Sequence, residues 1–313
     1  ALAVLGEIAP TLHRYPDGGA FRLRGALAER WKVTPDHVIL GNGSDEILGL
    51  LARTFLSPGD EAVMAEHTFV IYKMEVKAAH GVAVEVPQKN WRHDLPAMAA
   101  AITDKTRLLF VCNPNNPTGT MATKAEVAAL MARVPDHVVV VFDEAYYEYV
   151  RHPEFPESLS YVNAGRNVIV LRTFSKIYGL AGLRIGYGMT TPEITNYLNR
   201  IRPPFNANSM AQRAALAALD DEAHVGASRA LNHAEMDKVR TGLLTLGFEA
   251  LPSETNFLYF DVGRDGREVF DALLRKGIIV RHIDGRMLRV TIGLPEENQL
   301  FLSALADVTR AAR

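Results

Sequence analysis

The 313-residue chain is 48% hydrophobic and 22% charged, with a net charge of −2. That length suffices for roughly two domains around a substantial core, and the near-neutral balance excludes a strongly basic nucleic-acid binder or a membrane-surface protein. The single cysteine, Cys112, excludes an internal disulfide or a multi-cysteine metal cage and fits a reducing cytoplasm.

The chain opens on Ala1 without an initiator methionine, which leads us to expect a trimmed front. Its start, "ALAVLGEIAPTLHRYPDGG", lacks the charged-then-apolar pattern of a signal peptide, and no apolar run approaches the roughly 20 residues that span a bilayer. Short β-branched runs then recur in order: "HVIL" (37–40), "EAVMA" (61–65), "VAVEV" (82–86), "RLLFVC" (107–112), "HVVVVF" (137–142), "NVIVLR" (167–172) and "RIGYGM" (184–189). Helical patterns such as "SDEILGLLARTF" and "TKAEVAALMARV" separate them. "VVVVF" is apolar on both faces, as a strand inside a parallel sheet must be. Strand–helix alternation predicts βαβ units and an open, mostly parallel α/β sheet. Residues 209–246 read as nearly continuous helix, broken near Asp220 and Asp221. Beyond it, "GFEAL", "NFLYFDV", "GIIVRHI" and "MLRVTIG" predict a smaller second sheet, with helices over "DGREVFDALLRKG" and "PEENQLFLSALADVTRAAR". The expected division is a large domain over 1–230 and a small α+β domain over 231–313. No internal repeat or low-complexity tract interrupts the pattern.

In open α/β sheets, ligands sit outside the carboxyl ends of the strands. After "HVIL" comes "GNGSDE", which opens a helix. Free N–H groups near Ser44 and Asp45 can hold a phosphate there; an ordinary helix cap by Ser44 is the other reading. The segment lacks the third spaced glycine of a dinucleotide-binding turn. After "RLLFVC", the Pro- and Asn-rich "NPNNPTGT" fixes a rigid turn that can present an amide to a ring hydroxyl, or can serve as a turn alone. After "HVVVVF", Asp143 emerges from a buried strand, where a carboxylate needs a cation or good hydrogen bonds. It reads either as a helix cap or as the counter-ion of a protonated ligand nitrogen. Tyr146, three residues on, reaches the same place if the segment turns helically.

After "NVIVLR" comes "TFSKIYGLAGLR". Thr173, Ser175 and Arg184 suit a phosphate, and Lys176 among apolar neighbours has a lowered pKa and a nucleophilic amine. Any one of these residues alone reads as structural or solvated. Four strand ends with phosphate donors, a carboxylate, an Asn, a Tyr and an amine able to bond an aldehyde together describe a pyridoxal phosphate site.

"NPNNPTG", "DEAYYEY", "RTFSK" and "AGLRIGYG" resemble the motifs of the fold-type-I pyridoxal-phosphate aminotransferases. "HRYPDGG", "GNGSDE", "RPPFNANSMAQ", "SETNF" and "LRVTIG" narrow the resemblance to the histidinol-phosphate aminotransferase group, from about Tyr15 to the C-terminus. The resemblance implies a three-layer large domain with a mostly parallel sheet, a smaller α+β C-terminal domain, and a cytoplasmic homodimer with active sites at the interface. It implies that Lys176 bonds the cofactor and shuttles a proton, and that Asp143 pairs with the pyridine nitrogen. Asn116 and Tyr146 would hold the phenolic oxygen, and Phe69 in "EHTFVIY" would stack on the ring, where a plain core Phe is the alternative. Ser44 and Asp45 through their backbone, with Thr173, Ser175 and Arg184, would hold the phosphate, and Tyr15 would reach the partner subunit's cofactor. Arg281 and Arg289 would bind the substrate phosphate, with Asn206 in the substrate pocket.

The implied reaction is transamination between L-histidinol phosphate and 2-oxoglutarate, giving imidazole-acetol phosphate and L-glutamate in histidine biosynthesis. Two guanidinium groups suit a dianion better than one carboxylate, although the same pair can take the carboxylate of glutamate. Competing readings are an aromatic amino acid (phenylalanine) aminotransferase, a phosphothreonine decarboxylase and a non-enzymatic pyridoxal-phosphate-sensing module. The family's N-terminal arm, with its Asn-Glu-Asn-Pro-like segment, has no counterpart here, so an incompletely closed site is expected.

Overall fold

A computed structural model describes residues 1–310. In chain order the elements begin with α1 (Leu2–Ile8), α2 (Phe21–Trp31), β1 (Val38–Gly41), α3 (Ser44–Phe55), β2 (Glu61–Ala65), α4 (Ile71–Ala78) and β3 (Val82–Val86). They continue with α5 (Leu95–Ala100), β4 (Thr106–Cys112), α6 (Lys124–Met131), β5 (Val139–Asp143), α7 (Leu159–Asn163), β6 (Val168–Thr173) and β7 (Gly186–Thr190). Then follow α8 (Pro192–Ile201), α9 (Ser209–Leu219), α10 (Glu222–Thr245), β8 (Phe257–Asp261), α11 (Gly266–Arg275), β9 (Arg281–Asp284), β10 (Met287–Thr291) and α12 (Pro295–Arg310).

The large sheet has the order β1-β7-β6-β5-β4-β2-β3. Strands β2 to β6 pair in parallel, and β7 runs antiparallel to both β6 and β1. Two antiparallel steps leave β1 parallel to β6, so the carboxyl ends of β1, β4, β5 and β6 share one edge. Side chains alternate strictly across this sheet. Val140, Phe142, Val168 and Val170 pack beneath α2, α5, α6, α7 and α9. Val139, Val141, Ile169 and Leu171 pack beneath α3, α4 and α8. This burial on both faces explains the unbroken apolar runs and gives three layers.

The second sheet, β8-β10-β9, is antiparallel. Its core joins Leu258, Phe260 and Leu288 to Met236, Val239 and Leu243 of α10 and to Phe301 and Leu305 of α12. Val225, near the start of the same α10, packs into the large-sheet core instead. The break expected near Asp220 and Asp221 separates α9 from α10, with Asp221 capping α10 through His224 N–H (3.1 Å).

Three local expectations need correction. "GFEAL" forms no strand; Ala250 makes one isolated bridge to Phe260, and Pro252 ends any extension. The last large-sheet strand starts at Gly186, because Arg184 turns into the left-handed region (φ 57°). Gly43, at φ +81°, heads α3 and makes no side-chain cap; Ser44 is already the first helical residue. Among the described residues, no helix is long and apolar enough to cross a membrane.

Candidate active site

Along the shared carboxyl edge a cleft of about 120 Å³ is lined by Ser44, Asp45, Phe69, Asn116, Asp143, Tyr146, Thr173, Ser175, Lys176 and Arg184, joined by Cys112 and Ala145. The structure therefore brings together ten of the residues singled out in the sequence, from five separate strand ends.

One end of the cleft is an anion cradle. The first N–H groups of α3 have no intrahelical acceptor, and the helix dipole places partial positive charge there. Arg184 lies beside them, its Nη1 3.5 Å from Ser175 Oγ and 3.2 Å from the Ala181 carbonyl, its Nη2 3.4 Å from Asp45 Oδ2. Glycine permits this approach. A Cβ on Gly43 would collide with Arg184 Nη2, and one on Gly186 would collide with the Ser44 backbone nitrogen. Thr173 Oγ1 accepts the Ser175 N–H at 3.1 Å, which turns the chain at the head of the Lys176 loop.

The middle of the cleft holds the ionisable pair. Asp143 ends β5 and is 3% exposed. Its Oδ2 accepts from the Tyr72 hydroxyl at 2.7 Å and its Oδ1 from the Ala145 N–H at 3.2 Å, a tight local turn and not a helix cap. Burial pushes the carboxyl up to about 6, while the Tyr72 and Ala145 donors and Lys176 oppose that rise. Burial lowers the Lys176 pKa, and the charge of Arg289 adds to the effect. Tyr146 is buried beside it, with Lys176 Nζ 5.3 Å from its ring centre, and burial raises its pKa.

The Asn-rich loop divides its labour. Asn113 exchanges hydrogen bonds with the Ala122 backbone (3.1 and 2.8 Å), and Asn115 donates to His67 O and Thr118 Oγ1 (both 2.9 Å). Those two amides lock the loop, and Asn116 is left to face the cleft. Its Oδ1 accepts from Arg289 Nη1 at 2.5 Å, and its Nδ2 makes no side-chain hydrogen bond among the described residues. In "DEAYYEY" the roles alternate likewise. Asp143 and Tyr146 face the cleft, while Glu144 bonds Arg172 at 2.8 Å beneath it. Tyr147 and Trp31 stack on that guanidinium at 3.4 and 4.0 Å.

A neighbouring cleft of about 440 Å³ shares Phe69 and Asn116 with the first and adds Arg281, Arg289, His67, Lys73 and His282. Arg281 and Arg289 stand directly opposite each other on β9 and β10. Like charges so placed repel, which makes this a ready anion site. A larger cavity of about 580 Å³ lies elsewhere, around Trp31, Tyr147 and Arg172, and contains none of the cradle residues.

Two expected residues lie apart from both clefts. The Asn206 amide donates to the Leu40 carbonyl at 3.0 Å and to Glu46 Oε2 at 2.5 Å and accepts from Arg202 at 2.6 Å, tying the loop before α9 to the end of β1. Tyr15 is 82% exposed and stacks on Phe205 at 4.8 Å. Conversely, sequence reasoning passed over Tyr72 and Cys112. Tyr72 sits inside the quoted "EHTFVIY", three residues after Phe69, and that helical spacing was the available signal.

Residues 6–305 match the family described as aminotransferase class I and II. The chain is 51% identical over 313 residues to a histidinol-phosphate aminotransferase of Moorella thermoacetica, covering 98% of this chain and 81% of that protein. It is 49% identical to histidinol-phosphate aminotransferase 2 of Pseudomonas fluorescens Pf-5, covering 100% of this chain and 85% of that protein. The crystal structure of the histidinol-phosphate aminotransferase of Sinorhizobium meliloti in complex with pyridoxal 5'-phosphate superposes with a TM-score of 0.95. Its identity is 30%, and the match covers 100% of this chain and 87% of that one. With this geometry and these relatives, the chain belongs to the class I and II aminotransferases, within their histidinol-phosphate aminotransferase group.

Proposed function

We propose that this chain moves the amino group of L-histidinol phosphate to 2-oxoglutarate, giving imidazole-acetol phosphate and L-glutamate, with pyridoxal 5'-phosphate as carrier. The donor set fits that cofactor. The α3 N-terminus, Ser175, Thr173 and Arg184 form a dianion cradle in which a Cβ on Gly43 would intrude. A buried carboxylate whose pKa is pushed up to about 6 is a group in want of a cation, and a pyridinium supplies one. When bound, the cofactor supplies an electron sink and a temporary seat for the amino group.

The chain's own residues do the rest. Lys176, with its lowered pKa, is an effective nucleophile and base and moves the proton at the reacting carbon. Asp143 would hold charge on the ring nitrogen. Asn116 Nδ2 and Tyr146 would hold the phenolic oxygen, and Phe69 would close the ring face. Arg289 is half-buried, lies over the Phe257 ring at 4.7 Å and faces Arg281 across the strand pair.

That opposed Arg pair carries the substrate assignment. An aromatic amino acid brings one carboxylate, whereas histidinol phosphate brings a dianion that neutralises both guanidinium groups. Tyr15 and Phe205, stacked on each other and exposed (82% and 43%), form an aromatic surface suited to a second copy of the chain, with Tyr15 reaching the partner's cofactor phosphate. The lone buried Cys112 suits a reducing, cytoplasmic setting.

Half-reaction spectra test the assignment. Histidinol phosphate is expected to consume the bound aldehyde's absorption at a rate far above phenylalanine, and Arg281→Ala to raise the KM for histidinol phosphate by about tenfold or more. Conversion by phenylalanine alone overturns the reading. Borohydride is expected to trap the cofactor on Lys176, and an adduct on any other lysine removes that residue from its role.

A further inference from the structure

We propose that Tyr72 is a positioning residue of this site, which aims and tunes the Asp143 carboxylate through its hydroxyl and supports the Phe69 ring through its own. The proposal rests on the cofactor reading above. The observation behind it is a buried chain of contacts directly beneath the cleft.

Tyr72 is fully buried on α4. Its ring stacks on Phe110 of β4 at 4.7 Å and 8°, and meets Phe69 edge-on at 5.6 Å and 87°. Its hydroxyl, the single polar atom of the side chain, donates to Asp143 Oδ2 at 2.7 Å. Burial holds the phenol pKa well above its ordinary range, with the charge of Asp143 adding to it, so the group is a donor at every working pH. With Ala145 N–H on the other oxygen, the carboxylate is held from both sides. Its rotamer is fixed before any ligand arrives, and lone pairs remain for a ring nitrogen.

The titratable and charged groups around Asp143 come from the elements packed against it. Tyr72 faces it from α4, Cys112 from β4, Asp45 from α3 and Lys176 from the loop after β6. Burial raises the carboxyl, and Asp45 adds to that. Tyr72, Ala145 and Lys176 counter it. Removing the Tyr72 donor takes away a hydrogen bond to the charged form, so the proton is held more tightly. At neutral pH fewer molecules then carry the anion that a pyridinium needs.

Tyr72→Phe keeps the ring, its stack and its edge contact and deletes only the oxygen. In the cofactor-free protein, carbon-13 NMR of the aspartate carboxyls is expected to show Asp143 titrating near pH 6 in the wild type and at clearly higher pH in the variant. Pyridoxal phosphate titrations are expected to show about tenfold weaker binding, the usual scale for a hydrogen bond to a charged group, with the loss growing as pH falls through 6 and small at pH 8. In an Asp143→Asn background the same change is expected to alter cofactor affinity by less than about twofold, because Tyr72 acts through that carboxylate. An unshifted Asp143 titration, or an equal loss of affinity in both backgrounds, overturns the proposal. Failure of the wild type to take up pyridoxal phosphate would overturn the cofactor reading instead, and the carboxyl titration still decides the case for Tyr72.

Discussion

Arg184 lies so close to Gly43 that a single methyl group on the glycine would strike its Nη2. The two residues come from opposite ends of the large-sheet sequence, and each has a backbone in the left-handed region, at φ 57° and +81°. The arginine's reach thus depends on a residue with no side chain.

Gly43→Ala is expected to displace the guanidinium and not to unfold the protein, because the struck atom is the tip of a flexible side chain. Strain at positive φ should cost about 1–2 kcal/mol of stability. Affinity for pyridoxal phosphate should fall at least tenfold as the cradle opens. Titration of the cofactor-free variant checks this, and binding within twofold of the wild type would show that the close approach is incidental.

The buried Asp143 carboxyl gives a pH signature. Its folded value, about 6, stands above the ordinary 3.8, so the folded chain holds this proton more tightly than the unfolded one. Its contribution is most favourable below pH 3.8 and is lost as pH rises from there through 6. In the cofactor-free protein, Asp143→Asn should therefore be the more stable form at pH 8, by roughly 3 kcal/mol, with the advantage shrinking towards pH 4. Denaturant unfolding at several pH values measures the difference. Saturating pyridoxal phosphate should narrow or reverse the gap, since the cation restores what burial removes.

Asn206 offers a third test. Its amide is engaged by Leu40 O, Glu46 and Arg202, so Asn206→Ala should destabilise the chain by about 1–3 kcal/mol. The KM for the amino donor should stay within about twofold. A rise of tenfold or more without loss of stability would place this residue in contact with substrate after all.

Much of the site was legible because strand ends are legible. Strands buried on both faces announce themselves as unbroken apolar runs, and a polar residue just past such a run, such as Asp143 or Lys176, is conspicuous. Tyr72 was not, because a tyrosine on an amphipathic helix looks like any core aromatic. Its hydroxyl gains meaning only when α4 packs over β4 and β5, a contact that local sequence does not encode. The direction of the Asn206 amide was hidden likewise, being set by Glu46, 160 residues earlier in the chain. "GFEAL" has the composition of a strand, but its own first residue, Gly247, at positive φ and Pro252 after it leave room for a single bridge.

The position of β7 between β1 and β6 also constrains how the molecule comes into being. On a growing chain, β1 is made first and β7 last among the strands of that sheet. Until β7 arrives, β1 lacks its sheet partner, and Arg184 cannot meet Asp45, 139 residues before it. A chain interrupted just past Lys176 would carry the reactive amine but no complete grip for an anion. Capture of pyridoxal phosphate thus marks the moment when the large sheet has closed its last gap. Its binding energy then weighs against any reopening, so the cofactor acts as the seal on a finished topology as well as the tool of the reaction.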